Sequence, residues 1–372
     1  GGERVNAPYT FLTRGDASAW LSAQEVQVRN GAWEQEVLEP SSPMAGHLFE
    51  EYVERHIKLQ TNSDGSLLRP STKSLYMRLL RVNLSPFWGR TMESVDAAQV
   101  SEWWAEAIST GKKTAASKAY KLMGAAMRRA VGEKLIAANP CMVKGAQSAV
   151  TGKKVLAPSL EEVGLIAKHI NKRYTAMVIL MAFGGFRFGE ITELRRGDVY
   201  RRTLAPHGEV VNAKATYEFS VERAVTLVTD SMGKPVHHVD KPKSKAGVRR
   251  VVVSSAFNGL IEELLDSTPQ GNDSLLFPAA SGMDQHLRHD VFMNSWRPAL
   301  KRAGIPEGKY SPHTLRHFAG SQLHLAGANI PELKEWLGDS STAAVMRYVH
   351  STGRTAELSN SMGLNWDTRN VA

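Results

Sequence analysis

Cysteine is almost absent from this chain: Cys141 is the single one in 372 residues. A lone thiol excludes an internal disulfide and any zinc site built from several cysteines. Long apolar runs are missing too. The longest, Ala176 to Phe183, falls well short of the about 20 residues that a membrane-spanning helix needs. No signal peptide opens the chain. Gly1-Gly2 stands where an initiator Met is expected, which reads as a processed or trimmed fragment. Internal repeats and low-complexity tracts are lacking. Acidic residues are the scarcer charge, 37 Asp+Glu against 46 Lys+Arg, so the formal net charge is +9. These absences point to a globular protein of a reducing cytoplasm, with no membrane partner. The positive surplus makes nucleic acid the first partner to test.

What is present is ample core material, since 42% of residues are hydrophobic, in a chain long enough for two or three domains at roughly 150 residues each. The first 35 residues read as a strand, Asn6 to Leu12, and a helix from a cap at Asp16 to about Arg29. That is too little to fold alone. Pro40 and Pro43 mark 36–44 as a linker. Residues 45–146 read as an all-helical domain: helices over Ala45–Leu59, Ser71–Leu84 and Thr114–Gly132, and one capped by Asp96 with Gln99 at N3. An apolar stripe, Leu75, Tyr76, Leu79, Leu80 and Val82, marks the second of these. Residues 147–158 form a second linker. Ser159 with Glu162 then opens a helix to about Lys172, followed by an apolar helix to Phe183 and a short one over Phe188–Arg195. Val210-Val211, Val225 to Val228 and Val251 to Val253 are β-rich. Helices return after Ser255. The expected fold is therefore mainly α with a small antiparallel β-sheet, the sheet lying in a domain over 159–350 with a tail over 351–372.

Charge is uneven in the helical domain. Lys112, Lys113, Lys118, Lys121, Arg128, Arg129 and Lys134 have a single acid nearby, Glu133. The run reads either as a solvated face or as a phosphate-contacting one. In the second domain, Ser311-Pro312 precedes His313-Thr314-Leu315-Arg316-His317, and Ser then Pro is a helix-start signal. His313 and Arg316 then share the first turn, where free N–H groups and the helix dipole favour an anion. Alone, that pattern is weak. It is accompanied by Gly184-Gly185-Phe186-Arg187-Phe188-Gly189-Glu190, by the basic turn Lys243-Ser244-Lys245-Ala246-Gly247-Val248-Arg249-Arg250, and by Leu337-Gly338-Asp339 with Arg347-Tyr348 beyond it.

Four such motifs in this order resemble the tyrosine recombinases, specifically integrases of temperate phages and actinobacterial mobile elements, over about residues 45–350. The resemblance implies a helical core-binding domain and a mixed α/β catalytic domain that together clamp duplex DNA. It implies that Arg187 and Arg316 hold the scissile phosphate, with Glu190 supporting them from beneath. Guanidinium forks suit the equatorial charge of phosphoryl transfer. Tyr348 matches the nucleophile that forms a 3′-phosphotyrosyl link. His313 matches the general base or phosphate-binding histidine, and Lys245, in preference to Lys243, the acid that protonates the leaving 5′-oxygen. His317 reads as a packing histidine. The α-helical basic residues, with Lys153 of the linker, are expected to position DNA. Residues 1–35 resemble the end of an arm-site-binding domain.

One position departs from the family. His or Trp is usual nine residues before the nucleophile, and here that residue is Asp339. Either it turns away, or it is protonated, or it contacts a neighbouring cation; the reading adopted is that it orients Arg316 or His313. The chemistry calls for no metal or cofactor, and His237-His238 with His286 and His289 lack a convincing ligand spacing. The resemblance further implies DNA attachment sites as substrate, a homotetramer on DNA, a host DNA-bending protein and an excisionase as partners, and the cytoplasm of a bacterial host as the setting. Leu358, Met362, Leu364 and Trp366 in the tail would pack on a neighbouring protomer. Rival readings are a type IB topoisomerase and a DNA-binding regulator that has lost catalysis.

Overall fold

Phe49, Tyr52, Val53 and Ile57 recur at the spacing that lines one side of a helix. In the computed structural model they form the buried side of α2 (Phe49–Leu59). The structure describes residues 14–30, 47–62, 64–148, 156–204, 214–230, 233–242 and 244–349. The expected strand over Asn6–Leu12, the linker over 36–44, Val210-Val211, Lys153, Lys243 and the tail from His350 lie outside them. Contacts divide the chain into two units, Gly1–Gly152 and Lys153–Ala372.

In the first unit α1 (Arg14–Arg29) begins two residues before its expected cap at Asp16. A bundle follows, of α2, α3 (Pro70–Val82), α4 (Ala97–Ser109) and α5 (Lys113–Gly132). The Asp96 carboxylate accepts the Gln99 N–H at 2.8 Å and so caps α4. The core is aromatic where the helices meet. Trp104 and Tyr120 pack edge to face at 5.5 Å, and Phe87 meets Trp103 likewise at 5.8 Å. The Trp103 indole N–H is satisfied by the Asn83 carbonyl at 2.9 Å. Leu79 and Leu80 of the expected stripe are buried, but Val82 is 67% exposed, because α3 ends there.

The second unit starts at α6 (Leu160–His169), where Ser159 and Glu162 cap each other's backbone at 3.1 and 2.8 Å. It stops before the expected Lys172, and a 3₁₀ turn leads into α7 (Thr175–Phe183). Six of the nine residues of α7 are buried, which makes it the central helix of this core. A single turn, α8 (Phe188–Ile191), replaces the longer helix expected to Arg195. The antiparallel sheet runs β1 (Val199–Leu204), β2 (Lys214–Val221), β5 (Arg249–Val253) in that spatial order. Tyr217, Phe219 and Val221 alternate inward and pair with Val253, Val251 and Arg249. Between β2 and β5 the chain makes a hairpin, β3 (Ala224–Thr229) and β4 (Pro235–Asp240). After α9 (Asn258–Ser267) a further small hairpin, β6 (Pro278–Ala279) and β7 (Gly282–His286), precedes α10 (His289–Arg302). The molecule is thus mainly α, as expected, but the described residues carry three small sheets rather than one. Last come α11 (His313–Leu325), α12 (Ile330–Leu337) and α13 (Thr342–Val345). Pro312, not Ser311, precedes the first helical residue of α11. Among the described residues no helix is long and apolar enough to cross a membrane.

Candidate active site

Four stretches of the second unit bring charge to one place. Arg187 stands at the N-terminus of α8, where its N–H donates to Glu190 Oε2 at 2.9 Å and its Nη1 to Glu190 Oε1 at 2.6 Å. Arg316 lies on the first turn of α11 and is only 1% exposed. Its Nη1 donates to the Gly185 carbonyl at 2.7 Å and its Nη2 to that of Leu337 at 2.5 Å. Asp339 joins the two arginines: Oδ1 takes Arg187 Nη2 at 2.5 Å, and Oδ2 is 3.0 Å from Arg316 Nη2. The unusual carboxylate therefore contacts a cation on each side.

Local backbone chemistry places Asp339 there. α12 ends at Gly338 with φ +66°, a left-handed cap that a residue with a Cβ adopts at a cost. The Asp339 N–H then returns to the Lys334 carbonyl at 3.0 Å. A Cβ on Gly338 would also stand 2.7 Å from the Ala246 carbonyl oxygen, so the turn Lys245–Gly247 lies directly against it. Lys245 itself is exposed.

Arg249, at the start of β5, was not singled out by the sequence. Its side chain is 4% exposed. Nη2 donates to Glu190 Oε2 at 3.0 Å, Nε to the Trp336 carbonyl at 2.9 Å and Nη1 to that of Gly247 at 3.2 Å. Burial alone would raise the Glu190 pKa, but Arg249, Arg187 and Arg316 outweigh it and hold the carboxyl down to about 2. The only sequence signal for Arg249 was its place in a basic turn, and Arg250 beside it shares that signal while pairing on the surface with Glu218 at 2.9 Å.

Tyr348 follows α13 and is 4% exposed. Its ring lies on Gly320 of α11, where a Cβ would meet the ring at 2.7 Å, so this close approach requires glycine. The ring meets that of His317 at 5.1 Å between centroids, and His317 meets His313 at 5.2 Å. Tyr348, His317, His313 and Arg316 thus form one continuous run on and against α11. Burial, reinforced by Arg316 and Arg187, lowers the His313 pKa. Burial, with His313 and Arg347, brings His317 down to about 4. Both shifts favour the neutral imidazole.

Of the expected DNA-contacting residues, Lys112, Lys113, Lys118, Lys121 and Arg128 are exposed at the start or along α5. Arg129 is half-buried and paired with Glu133 at 2.7 Å. Among the described residues no group of three or more His, Cys, Asp or Glu is arranged to hold a metal. His286 pairs instead with Glu193.

The phage integrase family model matches residues 159–354. The prophage phiRv2 integrase of Mycobacterium tuberculosis is 32% identical over 355 residues, covering 95% of this chain and 87% of that protein. The integrase of Mycobacterium phage D29 is 28% identical, covering 97% of this chain and 90% of its own. In structure, the Tn1549 transposon integrase in complex with a circular intermediate DNA superposes with a TM-score of 0.65 at 17% identity, over 85% of this chain and 99% of that one. A lambda integrase dimer bound to a core site gives 0.55 at 14% identity, over 87% and 99%. The fold is therefore theirs, and the sequence match decides the rest: this chain belongs to the phage integrase family, the site-specific tyrosine recombinases.

Proposed function

We propose that this recombinase cleaves duplex DNA at attachment sites with Tyr348 as nucleophile, and that it integrates and excises a phage or mobile-element genome. The observation that carries this reading is the bridge Arg187–Asp339–Arg316 together with the edge-to-face rings of His313, His317 and Tyr348. The phenol oxygen forms a bond to phosphorus while the bond from phosphorus to the 5′-oxygen breaks. His313, kept unprotonated by its surroundings, takes the phenol proton, and Lys245 gives a proton to the departing 5′-oxygen. Arg187 and Arg316 stabilise the equatorial oxygens. Glu190 fixes the Arg187 fork, and Asp339 sets the spacing of the two guanidiniums. Rejoining reverses the attack with a new 5′-hydroxyl, so no nucleotide is consumed.

Duplex DNA as partner is supported by the DNA complexes of the related integrases and by the lysines of α5. In this reading the first unit is the core-binding domain and the second the catalytic one. Lys112, Lys113, Lys118, Lys121 and Arg128 contact phosphates, Arg129 stays with Glu133, and Lys153 belongs to the linker. Both units contact the duplex. Four protomers pair two duplexes, the tail after His350 packs on a neighbour, and a host DNA-bending protein and an excisionase set direction. The working place is the cytoplasm of the bacterial host.

The test is a nicked suicide duplex carrying the attachment site, resolved on a denaturing gel. Wild-type protein is expected to form a covalent adduct that maps to Tyr348, and Tyr348→Phe to bind the duplex equally and form none. An adduct of undiminished yield from Tyr348→Phe would remove the nucleophile. No adduct from wild type on its own site would favour a regulator without catalysis.

A further inference from the structure

We propose that Arg249 is a positioning residue for DNA cleavage: its buried guanidinium fastens the turn that carries Lys245 to the arginine pair, and so places the proton donor. This rests on the reading of Lys245 as the general acid.

The three nitrogens of Arg249 each serve a different segment. Nη2 reaches Glu190 of α8, Nε reaches the Trp336 carbonyl near the end of α12, and Nη1 reaches the Gly247 carbonyl in the lysine turn. Only a planar fork with several donors spans three such acceptors; an ammonium is a single point. Neutralising Glu190 accounts for only one of these three contacts; the other two go to backbone carbonyls of the α12 end and of the lysine turn. Contacting DNA does not explain it either, since the side chain is 4% exposed and every nitrogen is engaged within the protein.

Packing points the same way. A Cβ at Gly338 would lie 2.9 Å from Arg249 Cδ as well as 2.7 Å from the Ala246 oxygen. A Cβ at Gly247 would lie 2.5 Å from Pro242 Cβ. The backbone of the turn is thus held on Gly338, on Pro242 and by Arg249, while the Lys245 side chain remains exposed. The residue next to Gly338 is Asp339, which holds both clamp arginines. Arg249 is therefore the direct hydrogen-bonded link from the lysine turn to the elements that set the clamp.

The experiment separates placing the acid from merely holding the fold. Full-length protein is given two suicide duplexes, one with the natural 5′-oxygen at the scissile phosphate and one with sulfur there. A thiol ionises near about 8.5, so the thiolate leaves when the phosphorus–sulfur bond breaks without taking a proton. On the oxygen duplex, Arg249→Lys is expected to slow adduct formation about 100-fold, the lower range of general-acid catalysis, with the duplex Kd unchanged. On the sulfur duplex it recovers, as Lys245→Ala does, whereas Arg316→Lys stays slow on both. Arg249→Gln, which keeps a donor for one carbonyl, is a second variant expected to show the same recovery, and melting temperatures establish that each variant is folded at the assay temperature. Wild-type rates for a folded Arg249→Lys on the oxygen duplex overturn the proposal. So does equal slowing on both duplexes while Lys245→Ala recovers. Failure of Lys245→Ala to recover overturns the reading of Lys245, and this proposal with it, and is distinguishable from the other outcomes.

Discussion

The two units bury different things. Inside the first, among the described residues, the buried polar side chains are His56 and Ser117, surrounded by aromatic and aliphatic side chains. Inside the second, Glu190, Glu193, Asp198, Arg249, Arg316 and His317 are all buried. Apolar burial contributes about 25 cal/mol per Å² and needs no special geometry. Buried ions instead lose hydration worth several kcal/mol each, and recover it only when every lone pair and proton is met. A protein selected for stability alone would have no reason to gather three guanidiniums around two carboxylates. The second interior gathers paired charge, whereas the first is apolar beneath exposed lysines of α5.

The sharpest way to break that contrast is Arg316→Ala. It removes the central cation of the second interior and leaves Asp339 facing one guanidinium instead of two. Breaking a buried pair costs about 3–5 kcal/mol, and the adduct with the suicide duplex should vanish. Removing an anchor of the first interior, for instance by Trp104→Ala, costs a comparable about 3–5 kcal/mol through the cavity. The same size of stability loss should then have opposite consequences: below its melting temperature, Trp104→Ala should still form adduct at saturating DNA. Equal loss of adduct in both variants would show that chemistry and stability are not divided between the units in this way.

A smaller effect is expected from Asp339→Asn. The amide offers one oxygen where the carboxylate offered two, and its NH₂ faces a guanidinium. One of the two arginines then loses its carboxylate oxygen, while Arg187 keeps Glu190 and Arg316 keeps the Gly185 and Leu337 carbonyls. Hydrogen bonds to charged groups contribute about 1.5–3 kcal/mol. Stability should fall by that order, measured by denaturant melts, and single-turnover adduct formation should slow because the bridge between the two guanidiniums is lost. Unchanged stability and rate together would mean that the bridge between the arginines sets nothing.

Much of this site could be read along the chain, and the unread part has a common cause. His313, Arg316 and His317 stand within one helical turn and a neighbour, where spacing alone implies proximity. The capped starts of α4 and α6 were legible because a cap acts over three residues. Asp339 was conspicuous by position, yet its two partners come from α8 and α11, and no local rule brings those segments together. Arg249 and Arg250 differ only in which face of β5 they occupy, and the register against β2 decides that. The strand β1 was missed because Tyr200 to Arg202 are polar and exposed, at the edge of its sheet. The helix from Phe188 ends early, and Glu193 beyond it turns inward to pair with Arg195, Arg223 and His286, partners that lie in other segments or out of helical register.

The mildest prediction concerns His56, a histidine buried in the first interior. His56 has both ring nitrogens buried without a hydrogen-bond partner. Burial lowers its pKa, Arg129 and Arg128 lower it further, and Glu133 opposes them. A histidine depressed in the folded state is matched above the unfolded value, near 6.5, where both states are neutral. As pH falls below that value the unfolded chain takes up the proton first, so stability declines toward acid. The same sign holds for His313 and for His317, whose pKa near 4 sets the lower end of its window. The two units are separated by substitution. His56→Leu removes the titration while filling the space with apolar atoms, so the fall in melting temperature between pH 7 and pH 5 should be smaller than in wild type. His317→Leu should reduce the same fall independently, and the two reductions should add, because the sites share no partner. A full wild-type fall in His56→Leu would mean that the first interior does not titrate, and that acid sensitivity belongs to the charged interior alone.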